Sequence, residues 1–241
     1  MKYTNSVNYF IDESRICLIL ILTDDRSSQQ TTLNNCSVTL TKRCYSVSET
    51  PTGLILVGRD DGFDICNSDG RIVRSVNVST GHIVSIQYCN SEIYTLCMKG
   101  EYGPKRYVLV FNSDDYSEVR RWSVPDYKYI SNIAVSNNKV YVSDTDNKQL
   151  CVYSLTGTPI TNIKHSTFSS LDYLSISTPD SILISDWGAN KVHKLDSRTD
   201  TITWTCTDVS IPRGVCCDTN GDVWVWSKST KSIYILSSQS G

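Results

Sequence analysis

Long apolar runs are missing from this sequence. The longest, Ile16-Cys-Leu-Ile-Leu-Ile-Leu22, has seven residues, where a helix needs about 20 to cross a bilayer. No membrane span is therefore expected, and a buried strand is. Residues 1–15 carry Asp12, Glu13 and several polar residues before any apolar run, which does not read as a secretory leader. The expectation is a cytoplasmic protein, and the sequons at Asn35 and Asn77 carry no weight without secretion. Proline and glycine are scarce, 6 and 12 in 241 residues, which excludes a collagenous or low-complexity chain. Surplus charge is absent too. Lys and Arg number 23 against 25 Asp and Glu, a formal net of −2, so no global field draws the chain to nucleic acid or an anionic membrane.

Recognisable reaction chemistry is also lacking. Ten cysteines are present, but no two have Cys-x-x-Cys spacing, which leaves a zinc ribbon or thioredoxin-type site without support. Cys17, Cys97, Cys151 and Cys217 fall in apolar runs, where cysteine behaves as a small hydrophobe, and buried free thiols in a reducing compartment are expected. His82, His165 and His193 lie at no metal-ligand spacing from one another. No Gly-x-Ser-x-Gly, phosphate loop or Cys–His pairing is present. No catalytic residue, metal site or cofactor is expected, and nothing supports a helix of three turns.

What the chain does contain is a repeat. Lys139-Val-Tyr-Val-Ser-Asp144, Ser181-Ile-Leu-Ile-Ser-Asp186 and Asp222-Val-Trp-Val-Trp-Ser227 share one pattern, with Val142, Ile184 and Val225 as anchors 42 and 41 residues apart. Each is preceded by a short apolar strand (Ile133-Ala-Val135, Leu174-Ser-Ile176, Gly214-Val-Cys-Cys217) and followed, after a five-residue loop, by another strand. A period of this size built from short strands is that of a β-propeller blade. The reading is an all-β, single-domain propeller over residues 1–241. Six four-stranded blades are expected, with a degenerate first blade in 1–50 and clearer blades in 54–241. The last copy runs out after its third strand, so the N-terminal strand Val7–Ile11 is expected to supply its fourth and close the ring.

The three copies resemble NHL repeats, the blades at the C-termini of tripartite-motif proteins. The residues that carry the resemblance are Ile211-Pro-Arg-Gly-Val215 with Asn220-Gly-Asp-Val-Trp-Val225, Val142-Ser-Asp-Thr-Asp-Asn147, and Ile184-Ser-Asp-Trp-Gly-Ala-Asn-Lys191. Asp186 with Asn190 fits the family's loop best. Lys148 stands at the Asn position of the first copy, and Ser227 and Lys231 replace both residues in the third. Asp186-Trp-Gly is also similar to the extracellular YWTD-type propeller. The resemblance implies a binding scaffold, the substrate-recognition part of a ubiquitin-ligase-like protein lacking its RING.

Asp144 and Asp186, closing equivalent strands, are read first as turn-holders that accept backbone N–H groups. For function the expectation is a non-catalytic, monomeric scaffold that recognises a protein through one loop-bearing face. The binding residues expected at the rim are Lys105, Arg106, Arg120, Arg121, Tyr127, Trp187 and Arg213. Two alternatives stand beside it: a propeller that binds single-stranded RNA through these basic and aromatic residues, and a channel-sited metal-dependent hydrolase or lyase.

Overall fold

The structure, a computed structural model, describes residues 45–79, 81–98, 105–125, 132–136, 138–218 and 220–237 with their side chains. It describes residues 6–12, 15–21, 33–39, 44 and 130–131 by their backbone. Five blades form the propeller. Blade one is Cys44–Glu49 (β4), Ile55–Arg59 (β5), Gly62–Cys66 (β6) and Ile72–Asn77 (β7). Blade two is His82–Cys89 (β8), Glu92–Met98 (β9), Arg106–Asn112 (β10) and Glu118–Val124 (β11). Blade three is Ile130–Ser136 (β12), Lys139–Asp144 (β13), Gln149–Ser154 (β14) and Pro159–Lys164 (β15). Blade four is Leu171–Thr178 (β16), Ser181–Asp186 (β17), Lys191–Asp196 (β18) and Thr201–Cys206 (β19). Blade five has three strands, Pro212–Cys217 (β20), Val223–Ser227 (β21) and Ser232–Leu236 (β22). Every pairing is antiparallel between sequence neighbours.

Two expectations are corrected here. Among the described residues there are five blades and not six, and the N-terminal strand does not pair with the last one. Ser6–Asp12 (β1) pairs with Arg15–Ile21 (β2) along its whole length, from Ser6↔Ile21 to Asp12↔Arg15. With Leu33–Thr39 (β3) they make a separate three-stranded sheet, whose first strand lies beside both β4 and β20. The physical reason is loop length: β1 meets the apolar run of β2 across a two-residue connection, whereas pairing with β22 closes a loop of most of the chain. The third correction is an addition. The expected run of clearer blades begins at Leu54, yet Cys44-Tyr-Ser-Val-Ser-Glu49 is the inner strand of the blade that Leu54 continues, its pattern hidden by alternating serines.

Those serines explain how the blades are joined. The inner strands run parallel around a channel and pair with their own blade only, so polar side chains reach across to the next blade. Ser46 and Ser48 accept the N–H groups of Ile86 and Tyr88, both at 3.0 Å. Ser85 and Gln87 accept those of Ile133 at 3.2 Å and Val135 at 2.9 Å, and Asn132 accepts that of Leu174 at 3.3 Å. The hydrophobic clusters follow the same logic and lie between blades. One joins Tyr94, Leu96 and Val110 to Ile133, Val140 and Val142; another joins Tyr141, Leu150 and Val152 to Leu171, Ile182 and Ile184. Each buried Leu, Ile or Val contributes about 1.5–3 kcal/mol. Because both blade faces are covered, all of β17 is buried, while outer strand β19 alternates exposed and half-buried.

Candidate binding site at the channel mouth

Each inner strand carries a register irregularity near its start: Cys44/Ser46, Ile83/Ser85, Ile130/Ile133, Leu171/Leu174 and Pro212/Val215. A bulge re-aims the side chains it contains. Asp172 and Arg213 occupy this bulge in adjacent blades, and there they form an ion pair. The Arg213 guanidinium lies 4.8 Å from the centroid of the Trp187 ring, a cation–π stack. Trp187 is 37% exposed, one of few large apolar side chains on the surface.

The loop under Trp187 is held from below. Asp186 is fully buried and accepts the N–H groups of Ser169 and Ser170 at 2.7 Å and of Ala189 at 3.1 Å. Trp187 donates its own N–H to the Ser170 carbonyl at 3.2 Å. Asn190 has φ +54°, a conformation Asn tolerates, and its Oδ1 accepts the Ile211 N–H at 2.8 Å. The Ile211 carbonyl accepts the Lys228 N–H at 3.1 Å. Ile211 itself, β-branched and just before Pro212, has φ +45°, a strained conformation that costs about 1–3 kcal/mol. Strain of this kind persists where surrounding bonds over-determine it, and here it sets the strand that carries Arg213. Asp144 plays the Asp186 role in blade three, accepting the Asn147 N–H at 3.1 Å and the Gln149 amide at 2.8 Å. The turn-holding role read from the sequence is what these bonds show.

The mouth opens on a channel cavity of about 890 Å³, lined by Asn132, Tyr173, Trp226, Lys228 and Lys231 among others. Lys228 and Lys231 are exposed on the blade-five side. Burial, with Asp172 adding to it, pushes the Tyr173 phenol up to about 12. Burial also raises the Cys216 and Cys217 thiols, which keeps them protonated and weakly nucleophilic. His193, fully buried, donates or accepts at Nδ1 with the Thr205 hydroxyl at 2.9 Å. Burial drives its pKa down to about 4. Among the described residues no group of three or more His, Cys, Asp or Glu side chains is placed to hold a metal ion.

The seven residues expected at one rim are scattered. Trp187 and Arg213 come together. Lys105 is exposed at the same end of the barrel of strands, but Arg106 is buried at 5%. Arg120 is tied to Glu92 by two bonds of 2.6 Å and to the Leu155 carbonyl at 2.8 Å, bridging blades two and three near the opposite end. Arg121 sits on outer strand β11, paired with Glu118. Tyr127 lies outside the described residues, as do residues 99–104 between β9 and β10. Asp172 was missed, although its position exactly one blade before Arg213, 41 residues away, was a usable signal.

No protein-family profile and no curated protein sequence matches this chain. Solved structures do. A chain of the nidogen/laminin complex superposes with a TM-score of 0.72 at 11% identity, covering 94% of this chain and 87% of that one. The WD40 β-propeller domain of Doa1 gives 0.63 at 14% identity over 99% and 85%. Hydrazine synthase from Kuenenia stuttgartiensis gives 0.67 at 8% identity over 95% and 90%. At these identities the likeness is one of fold, and the fold is a β-propeller.

Proposed function

We propose that this propeller is a non-catalytic scaffold whose channel mouth recognises a protein partner, with Trp187 and Arg213 at the centre of the contact. The observation that carries this reading is the exposed Trp187 ring stacked on an arginine, on a loop fixed by buried Asp186. Aromatic and arginine anchors on pre-organised backbone are what dominate protein interfaces. The NHL-like pattern of Asp186 and Asn190 supports a recognition module of that type, and the recognition part of a ubiquitin-ligase-like assembly is its narrowest form. Cys66, Cys89, Cys151, Cys206, Cys216 and Cys217 are free thiols, which supports the reading of a cytoplasmic, reducing location.

The test is affinity capture from source-cell lysate with the wild-type chain and with Trp187→Ala, each with and without RNase. The expected result is a set of proteins retained by wild type, resistant to RNase and lost with Trp187→Ala. Partners that disappear on RNase treatment would replace this reading with RNA binding.

A further inference from the structure

Charge is distributed unevenly around the channel mouth. The loops between second and third strands meet at this end of the blades. Blade one brings Asp60 and Asp61 there, blade three Asp146 and Lys148, blade four no charge, and blade five Lys228 and Lys231. The acids of this end are engaged. Asp60 accepts the Tyr45 hydroxyl at 2.5 Å and lies 2.9 Å from His82 Nδ1. Asp61 pairs with buried Arg59, and Asp172 with Arg213. Asp144 and Asp186 are fully buried beneath their loops.

The cations of blade five are not engaged in this way. Lys228 and Lys231 are exposed, and neither has an ion-pair partner among the described residues. Arg213 gives Nη1 to Asp172, while its Nε and Nη2 have no partner among the described residues. All three side chains line the channel cavity. Among the described residues the acids on the same wall are Asp172, already paired, and Glu49, which ends β4 at the far end of the channel. Asp208, exposed on the loop before β20, does not line it. The unspent charge at the mouth is therefore positive, although the chain as a whole carries a net of −2.

We propose that the mouth recognises an acidic peptide segment. One carboxylate of the partner meets the open edge of the Arg213 guanidinium, and Lys228 and Lys231 hold its acidic neighbours. This rests on the reading of the mouth as the recognition surface and adds the chemistry of what is recognised. A guanidinium fork suits a carboxylate, and the Trp187 ring, 4.8 Å away, holds the fork in place before the partner arrives. Single-stranded RNA fits less well, because successive bases need a series of stacking platforms. Trp187 is the one aromatic among the exposed large apolar side chains, and Arg213 already covers one of its faces.

Fluorescence anisotropy with the full chain and short labelled peptides tests this. The probes are an aspartate–glycine peptide, its asparagine–glycine and lysine–glycine counterparts, and oligouridine. Wild type is expected to bind the aspartate peptide alone, more weakly as salt rises. Lys228→Glu/Lys231→Glu should lower that affinity by about tenfold or more and take up the lysine peptide instead, a gain that loss of folding cannot produce. The proposal is overturned if the aspartate peptide fails to bind up to about 1 mM, or if the asparagine peptide binds as well. It is equally overturned if the charge-reversed variant binds the aspartate peptide undiminished, or if oligouridine binds wild type more tightly. Capture from lysate separates the two levels of failure. Partners lost with Trp187→Ala but kept by Lys228→Glu/Lys231→Glu leave the mouth as the recognition surface and remove its acidic specificity. Partners kept by Trp187→Ala remove both.

Discussion

In blade four the loop after the second strand is held by a carboxylate; in blade five the equivalent position is a hydroxyl. Asp186 accepts three backbone N–H groups. Ser227 accepts one, from Thr230 at 3.3 Å, and donates to the Ser210 carbonyl at 2.6 Å. The residues that turn the two loops also differ. Asn190 and Lys231 have φ +54° and +52°, and only the first is a residue type that enters this region readily. Both loops nevertheless reach the same mouth. The backbone plan of the blade is thus robust to its side chains, while the rigidity beneath Trp187 belongs to blade four alone.

Asp186→Ala should produce the largest effect. Three partly buried N–H groups lose their acceptor, each at the low end of about 1–3 kcal/mol, so a loss of about 3–5 kcal/mol is expected in denaturant melts. Ser227→Ala should lose only about 1 kcal/mol. Equal losses would erase the contrast between the blades.

Acid should act on blade four next. The unfolded-state pKa of His193 is near its ordinary 6.5 and the folded value is about 4, so the unfolded chain binds the extra proton between these limits. Stability is complete above about pH 6.5 and falls as pH drops toward 4, by about 3 kcal/mol in total. Tyr234 stands at the equivalent place in blade five. Hydrogen exchange at pH 5 should therefore show blade four opening relative to pH 7, and His193→Gln should flatten the pH dependence.

Trp187→Ala should weaken partner binding by about 2 kcal/mol or more, with little change in stability because the ring is partly exposed. Lys231→Asn gives the smallest effect, a gain of about 0.5–1 kcal/mol from easing the left-handed backbone, read as a raised denaturation midpoint.

Much of the fold was legible because blade strands bury both faces and repeat at a fixed period. Val142, Ile184 and Val225 mark it plainly. The polar inner strand β4 was not, since its Ser46 and Ser48 serve the neighbouring blade and leave no apolar pattern. Nor was the pairing of β1, which turns on a short hairpin loop and not on composition. At the site, Trp187 and Arg213 could be picked out as residue types, but only the bulges show that Arg213 faces Asp172. The same count of basic residues also drew in Arg106 and Arg120, which the fold uses as buried or bridging cations.

Photo-crosslinking from the two surfaces tests the central claim most directly. A benzophenone amino acid is placed in turn at Ala189, beside Trp187, and at Arg121, on the perimeter of blade two, and the chain is irradiated in source-cell lysate. The expected result is a discrete protein adduct from position 189 that Arg213→Ala removes, with none from position 121. Adducts from position 121 alone, or from position 189 undiminished by Arg213→Ala, would contradict recognition through the Trp187–Arg213 mouth.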